Sequence, residues 1–204
     1  MFNLFRRKKA GPLSEAAQLA AWEREGKPHP PPHVVKQKAI SFYRDKYHTP
    51  VLVETGTFLG DMVEAQKQHF RQVYSIELSK KLYSRAIKRF KDQPNIVLLQ
   101  GDSGVRLKEI TTQLKEPALF WLDGHYSGGI TAMGDKECPV REELAAILPD
   151  TKGHVILIDD ARLFNGTHDY PTMQELQSIV DKYGGRYYIE NADDIIRLLP
   201  KDKV

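Results

Sequence analysis

The sequence has a single cysteine, Cys138, and no long apolar run. One cysteine excludes an intrachain disulfide, and the cysteine and histidine residues do not have the spacing of a zinc finger. No apolar stretch reaches the length of a signal sequence or a membrane span. We therefore expect a cytoplasmic protein without stable membrane insertion.

The sequence also lacks a strong excess of one charge. It has 30 basic and 27 acidic residues, which gives a net charge of +3. This balance does not indicate a nucleic-acid partner. With 204 residues and 41% hydrophobic residues, the chain is able to form one sizeable core. We predict a single domain over residues 34–204. Residues 1–33 precede it as an extension with a basic start, a helical stretch and a proline-rich linker.

Residues 51–61, VLVETGTFLGD, are the most informative segment. An apolar β-type run ends at Glu54. Gly56 and Gly60 follow, and a helical pattern begins at Asp61. Glycines let the backbone approach a ligand and adopt φ values closed to other residues. The first turn of the helix would present free N–H groups. The segment predicts a nucleotide-sized cradle at the end of a parallel strand.

Two later strands also end in acids. QVYSIELS ends near Glu77, which follows Glu54 by 23 positions, close to the spacing at which an acid binds ribose hydroxyls. NIVLLQGDS ends in Asp102 and Ser103, polar residues that are able to reach the edge of a base. Three successive strand ends are thus predicted to carry carboxylates.

This pattern of acids and glycines resembles the class I S-adenosylmethionine (SAM)-dependent methyltransferases. In that superfamily, the loop after the first strand cradles the methionine part of the cofactor. The acid after the second strand holds the ribose, and the acid after the third meets the adenine amino group. The resemblance implies SAM as cofactor. It assigns to the cofactor site Glu54, Gly56, Thr57 and Gly60 in the first loop, Glu77 at the ribose, and Asp102 with Ser103 at the adenine.

Strand and helix patterns alternate through the rest of the chain, which predicts an α/β fold with a Rossmann-like, doubly wound, mostly parallel sheet. The last two strands, residues 186–190 and 193–200, are predicted to pair antiparallel through a turn at Asn191 and Ala192. The methyltransferase fold carries the same terminal pair. The other predicted elements are helices at residues 34–47, 80–90, 105–114, 140–148 and 172–183 and strands at residues 118–123 and 154–160.

Further acids follow the fourth and fifth strands, in FWLDGHYSGG and LIDDAR. Asp123, Asp159 and Asp160 would converge, and an all-oxygen set suits Mg²⁺ better than zinc. These strings are similar to the macrocin O-methyltransferase-like group, metal-dependent enzymes that methylate sugar hydroxyls. The resemblance implies Mg²⁺ or another divalent cation at these three residues. The alternative is structural, with Asp123 capping a helix and Asp159 or Asp160 pairing with Arg162.

The sequence departs from part of that group at His125, where we expect a carboxylate. Imidazole titrates near neutrality and is able to take a hydroxyl proton, so we assign catalytic roles to His125 and Asp123. Residues 127–140 form a glycine-bearing loop that is able to act as a lid. The predicted function is O-methylation of a small-molecule hydroxyl. A sugar is the first choice of acceptor and a catechol-like phenol the second, and a homo-oligomer is possible.

Two other functions remain open. A nicotinamide-dependent oxidoreductase would need the three glycines of G-x-G-x-x-G, whereas ETGTFLG has two glycines and an acid in front of them. An acid suits a cofactor with a cationic amino-acid end and disfavours a pyrophosphate. A non-catalytic accessory protein that keeps the fold is the second alternative, and only the acids at the strand ends argue against it.

Overall fold

The computed structural model describes residues 13–124 and 137–201, which fold around one seven-stranded sheet. The strands are β1 Val51–Thr55, β2 Gln72–Glu77, β3 Ile96–Gln100, β4 Ala118–Leu122, β5 Val155–Ile158, β6 Tyr187–Ala192 and β7 Ile195–Pro200. The helices are α1 Glu15–Arg24, α2 His33–Tyr47, α3 Asp61–Gln66, α4 Lys80–Arg89, α5 Ser103–Gln113, α6 Val140–Ile147 and α7 Met173–Asp181. A short 3-10 helix, Ala161–Leu163, follows β5.

The sheet has the strand order β3-β2-β1-β4-β5-β7-β6. Strands β1 to β5 run parallel, whereas β7 pairs antiparallel with β5 and β6 pairs antiparallel with β7. The predicted α/β, doubly wound sheet with a terminal antiparallel pair is confirmed. The chain leaves β1 toward β2 on one side and returns to β4 on the other, and open α/β sheets bind their ligands at such a switch point.

The central strands are buried on both faces. Successive side chains of a strand point to opposite faces, so neighbouring residues enter different cores. One core contains Val53 and Phe120 together with side chains of α5, α6 and α7. The other contains Leu52 and Leu119 with side chains of α2, α3 and α4. Continuous apolar strands are therefore required here, as in other parallel sheets that helices cover on both sides.

The predicted position of the terminal turn is wrong. Strand β6 extends to Ala192 and β7 begins only at Ile195, so the chain reverses at Asp193 and Asp194 instead of Asn191 and Ala192. Asp193 has a φ of 49° and Asp194 a φ of 62°. Two positive φ values in a two-residue loop give the mirror-image turn whose twist matches a hairpin, and aspartate tolerates this conformation.

The first helices attach to the sheet through α2. Trp22 of α1 is buried, and its indole N–H donates a hydrogen bond of 2.9 Å to the carbonyl oxygen of Pro28 in the linker. Helix α2 packs against α3, β4 and β5, which places its first turn near the carboxyl ends of the strands. Within residues 13–124 and 137–201, no helix has the length and apolar character needed to span a membrane.

Candidate active site at the carboxyl ends of the strands

The loop after β1, residues 54–60, lies against the backbone that follows β4. Gly56 has a φ of +83°, and a Cβ atom added there would lie 2.3 Å from the carbonyl oxygen of Asp123. The N–H groups of Gly56 and Thr57 both donate to the carbonyl oxygen of Ile76, at 2.9 and 3.1 Å. Only glycine fits both this conformation and this contact. The loop is therefore held on both sides of the switch point.

Glu77, at the end of β2, connects this loop to the next one. Its two carboxylate oxygens accept hydrogen bonds from the N–H groups of Phe58 and Ser79, each at 2.8 Å. Burial raises the pKa of Glu77, and the backbone donors oppose the rise. The predicted ribose acid thus lies between the two loops that would enclose a ribose. A role in ribose binding stays a prediction.

Glu54 is buried deeper than the sequence suggested. Only 2% of the residue is exposed, and its carboxyl accepts a hydrogen bond from the hydroxyl of Ser75, which also contacts the Thr57 hydroxyl at 2.6 Å. Burial raises the pKa of Glu54 to about 8, and the nearby carboxylates of Asp123 and Glu77 add to the rise. At neutral pH the carboxyl therefore holds a proton unless a cation approaches it.

The predicted adenine residues lie at the start of α5. Asp102 is exposed and forms the N-cap of this helix, where its Oδ1 accepts a hydrogen bond of 3.1 Å from the N–H of Val105. Ser103 is the first helical residue. An N-cap fixes the side chain at the carboxyl edge of β3, so the position agrees with the predicted role, which stays a prediction.

The acids after β4 and β5 lie side by side because their strands pair in register. The N–H of Asp123 donates to the carbonyl oxygen of Thr55 at 3.2 Å, and the N–H of Asp159 donates to that of Leu122 at 3.0 Å. These bonds continue the ladder beyond the strands. The Asp159 carboxylate forms an ion pair with the ammonium of Lys36 from α2. Asp160 instead accepts a hydrogen bond of 2.7 Å from the guanidinium of Arg162.

Known structures share this architecture, although no protein-family model and no curated protein matches the chain. The O-methyltransferase TomG from Streptomyces achromogenes in complex with SAM has a TM-score of 0.58 at 14% identity, covering 94% of this chain and 91% of TomG. The O-methyltransferase from Bacillus cereus in complex with S-adenosylhomocysteine (SAH) has a TM-score of 0.58 at 15% identity, with coverages of 94% and 92%. The SAH-bound methyltransferase PaMTH1 from Podospora anserina has a TM-score of 0.55 at 16% identity, with coverages of 95% and 90%.

The chain has the class I methyltransferase fold. Identities of 14–16% support the fold alone. The resemblance to the macrocin-like group rests on the sequence motifs and stays a prediction. A fold of this kind hosts many functions, so the function depends on the side chains that the fold brings together.

Cations of the chain itself lie beside two of the three aspartates predicted to bind Mg²⁺. Within residues 13–124 and 137–201, no three histidine, cysteine, aspartate or glutamate side chains gather into a group that could hold a metal ion. Side-chain cations neutralise two of the acids, since Lys36 pairs with Asp159 and Arg162 with Asp160. The pairing of Asp160 with Arg162 is the structural alternative that the sequence left open. The described residues do not support the predicted magnesium site.

The predicted base, His125, lies outside the described residues, as does most of the predicted lid, residues 127–140. The structure therefore tests neither assignment. The described part of that loop begins at Glu137 and leads into α6 through Cys138, which is buried.

Sequence reasoning missed Lys36. It lies 123 positions before Asp159, within a helix pattern that predicts only packing. No motif distinguishes this lysine from its neighbour Lys38. The contact depends on how α2 packs on the sheet, so only the folded structure reveals it.

Proposed function

We propose that this protein is a SAM-dependent methyltransferase that transfers a methyl group to a hydroxyl oxygen of a small-molecule acceptor. The observation that carries the proposal is the contact of Gly56 with the Asp123 backbone, flanked by Glu54 and Glu77, at the switch point of the sheet. Solved proteins of the same fold were crystallised with SAM or SAH, and two of them are O-methyltransferases. These facts support methyl transfer over the accessory role.

The chain's contribution to such a reaction is mainly binding and orientation. When bound, SAM supplies the electrophilic methyl group, so the protein has mainly to align the acceptor oxygen with it and to remove the hydroxyl proton. We assign the amino-acid end of the cofactor to the loop at residues 54–60 and the ribose to Glu77. A ligand ammonium near Glu54 would favour the ionised carboxylate and form a charge-assisted hydrogen bond with it.

We propose a sugar hydroxyl as the first candidate acceptor and a catechol-like phenol as the second. The sugar follows from the resemblance to the macrocin-like group. We keep His125 as the proposed general base. The proposal does not include the predicted Mg²⁺, because Lys36 and Arg162 pair with two of its three assigned ligands.

A methyl-transfer screen tests the proposal. The purified protein is incubated with SAM labelled on its methyl group and with panels of sugars and phenols, and labelled product is measured. Label should enter an acceptor hydroxyl with wild-type protein and remain in SAM with His125→Ala, for which a loss of about 10²–10⁴-fold is expected. Transfer to nitrogen or carbon acceptors alone would contradict O-methylation. A protein that does not bind SAH would contradict the whole proposal.

A further inference from the structure

Lys36 connects the first turn of α2 to the end of β5. The helix lies before the alternating strands in sequence, yet it packs on β4 and β5 in the fold. This packing directs the Lys36 ammonium to the Asp159 carboxylate. The lysine therefore reaches the same edge of the sheet as the loop at residues 54–60.

The pair of Lys36 and Asp159 is largely removed from water. The Lys36 side chain is 16% exposed and the Asp159 side chain 1% exposed. Burial by itself lowers the pKa of Lys36, but the attraction of Asp159, with that of Asp123 and Asp160, outweighs it and raises the pKa. The ion pair thus supplies Asp159 with a cation from the chain itself. A buried pair of this kind is costly to break, because removal of one partner leaves the other charge uncompensated.

The second carboxylate oxygen of Asp159 has no hydrogen-bond partner among the described residues. Its Oδ1 is buried, and the described residues provide no hydrogen bond to it. Asp159 also lines a narrow cavity together with Gly124, Phe164 and Tyr170. Buried polar atoms are rarely left unsatisfied, since the loss of hydration is not repaid. A buried carboxylate oxygen that has no donor among the described residues, on a side chain that lines a cavity, points to a ligand that donates a hydrogen bond.

One residue of the cavity wall, Gly124, follows the backbone that contacts the loop at residues 54–60. Gly124 follows Asp123, whose carbonyl oxygen lies against Gly56. A Cβ atom added at Gly124 would lie 3.1 Å from the Thr55 hydroxyl oxygen at the end of β1. An acceptor oxygen held at Asp159 would thus lie beside the loop assigned to the amino-acid end of SAM. Phe164 and Tyr170 add an aromatic wall, with ring centroids 5.5 Å apart.

We propose that Lys36 and Asp159 form the acceptor-positioning pair of this enzyme, with Asp159 Oδ1 accepting the hydrogen bond of the acceptor hydroxyl and Lys36 holding the carboxylate in place. The inference rests on the proposed methyl transfer and deepens it. Lys36 pairs with one of the three acids to which the resemblance assigned a divalent cation, so the proposed pair needs no metal ion. The carboxylate also selects an acceptor that has no negative charge next to the reacting hydroxyl.

Lys36→Ala and Lys36→Arg test the pair, and Lys38→Ala, at an exposed position on the same helix, is the control. In excess metal chelator, wild type and Lys38→Ala should methylate the acceptor at the same rate as without chelator. Lys36→Ala should lower kcat/KM by about 10²-fold through misplacement of the acceptor, and Lys36→Arg should recover part of the loss. SAH affinity by calorimetry should be the same in all four proteins. Loss of wild-type activity in chelator with recovery in Mg²⁺ would overturn the inference.

A metal titration needs no acceptor and tests whether Lys36 or a metal ion neutralises Asp159. Mn²⁺ binding, followed by electron paramagnetic resonance, should be absent in wild type, because the Lys36 ammonium already pairs with the Asp159 carboxylate. Stoichiometric Mn²⁺ binding to wild type would overturn the inference. So would a Lys36→Ala variant that keeps the wild-type kcat and KM once an acceptor is known. If Lys36→Ala does not fold, Lys36→Met/Asp159→Asn removes both charges and should bind SAH but turn over poorly. If the protein binds no SAH, the proposed function is refuted. If it binds SAH and wild type also binds Mn²⁺ stoichiometrically, only the pair of Lys36 and Asp159 is refuted.

Discussion

Glu54 and Glu77 are buried carboxyls at neighbouring strand ends, and they differ in their hydrogen-bond donors. Glu77 accepts from two backbone N–H groups, whereas Glu54 accepts from the single hydroxyl of Ser75. Donors stabilise the charged form and desolvation disfavours it. The pKa of Glu54 accordingly rises to about 8. Glu54, the acid nearest the expected cationic end of SAM, is thus neutral at pH 7 and is expected to ionise when a cationic group binds beside it.

Glu54 should make stability depend on pH. Its pKa is raised from 4.5 to about 8 in the folded protein, so the folded state binds the proton more tightly than the unfolded state. The contribution is complete below pH 4.5 and is lost as pH rises through 8. The free energy of unfolding in urea should fall across this window for wild type, and less steeply for Glu54→Gln. Equal slopes for the two proteins would contradict the assignment, and the exposed Glu23→Gln should behave as wild type.

Glu77 should contribute to cofactor affinity. Glu77→Gln replaces one acceptor oxygen by an NH2 donor. The side chain is then unable to accept hydrogen bonds from both backbone N–H groups and from the ribose hydroxyls. SAH binding should weaken by about 1.5–3 kcal/mol, as expected for hydrogen bonds to a charged group. Calorimetry measures the dissociation constant, with Glu23→Gln as control. An unchanged constant in a folded Glu77→Gln variant would remove the ribose assignment.

At the scale of elements, the strands and helices were predictable because their apolar periodicity is local. The pairing of Lys36 with Asp159 was not, because the two residues meet only after α2 packs on the sheet. The predicted turn is misplaced because Asn191 and Ala192 interrupt the apolar pattern, although both residues belong to β6. The observed turn is formed by Asp193 and Asp194, which have positive φ values. The apolar pattern of the sequence does not reveal this backbone conformation.

Gly56→Ala should disable the loop after β1. The new Cβ atom would meet the carbonyl oxygen of Asp123 at 2.3 Å, in a conformation that costs non-glycine residues about 1–2 kcal/mol. Gly26→Ala is a matched control, since Gly26 has a φ of +80° with nothing within 4 Å of its added Cβ. Both variants should lose stability in urea melts, but only Gly56→Ala should lose SAH binding. Retained affinity in Gly56→Ala would show that this loop does not hold the cofactor.

The turn between β6 and β7 offers a test of buried charge. Asp194 is 3% exposed, accepts a hydrogen bond of 2.9 Å from the N–H of Arg162, and pairs with the Arg162 guanidinium. Asp194→Asn should lower the free energy of unfolding by about 1–3 kcal/mol. Asp193→Asn changes the more exposed partner of the turn and should cost less than about 1 kcal/mol. Equal effects in urea melts would mean that the Arg162 contact adds no stability.

At the scale of the whole molecule, the sheet order decides where chemistry is possible. The parallel strands β1 to β5 bring their carboxyl ends to one edge, and the reversal of order between β1 and β4 opens a crevice there. Residues from 36 to 160 meet at this edge although they are distant in sequence. The two apolar cores on either face of the sheet hold the strands in register.

Calorimetric titration of the wild-type protein with SAH and, in parallel, with NAD tests the central claim most directly. We predict one SAH site per chain, competed by SAM, and no binding of NAD. The same preference should appear as stabilisation, of about 2.7 kcal/mol when SAH is present at 100 times its dissociation constant. NAD binding without SAH binding would instead indicate a nicotinamide-dependent oxidoreductase. Binding of neither ligand would contradict the assignment of this site to a methyltransferase.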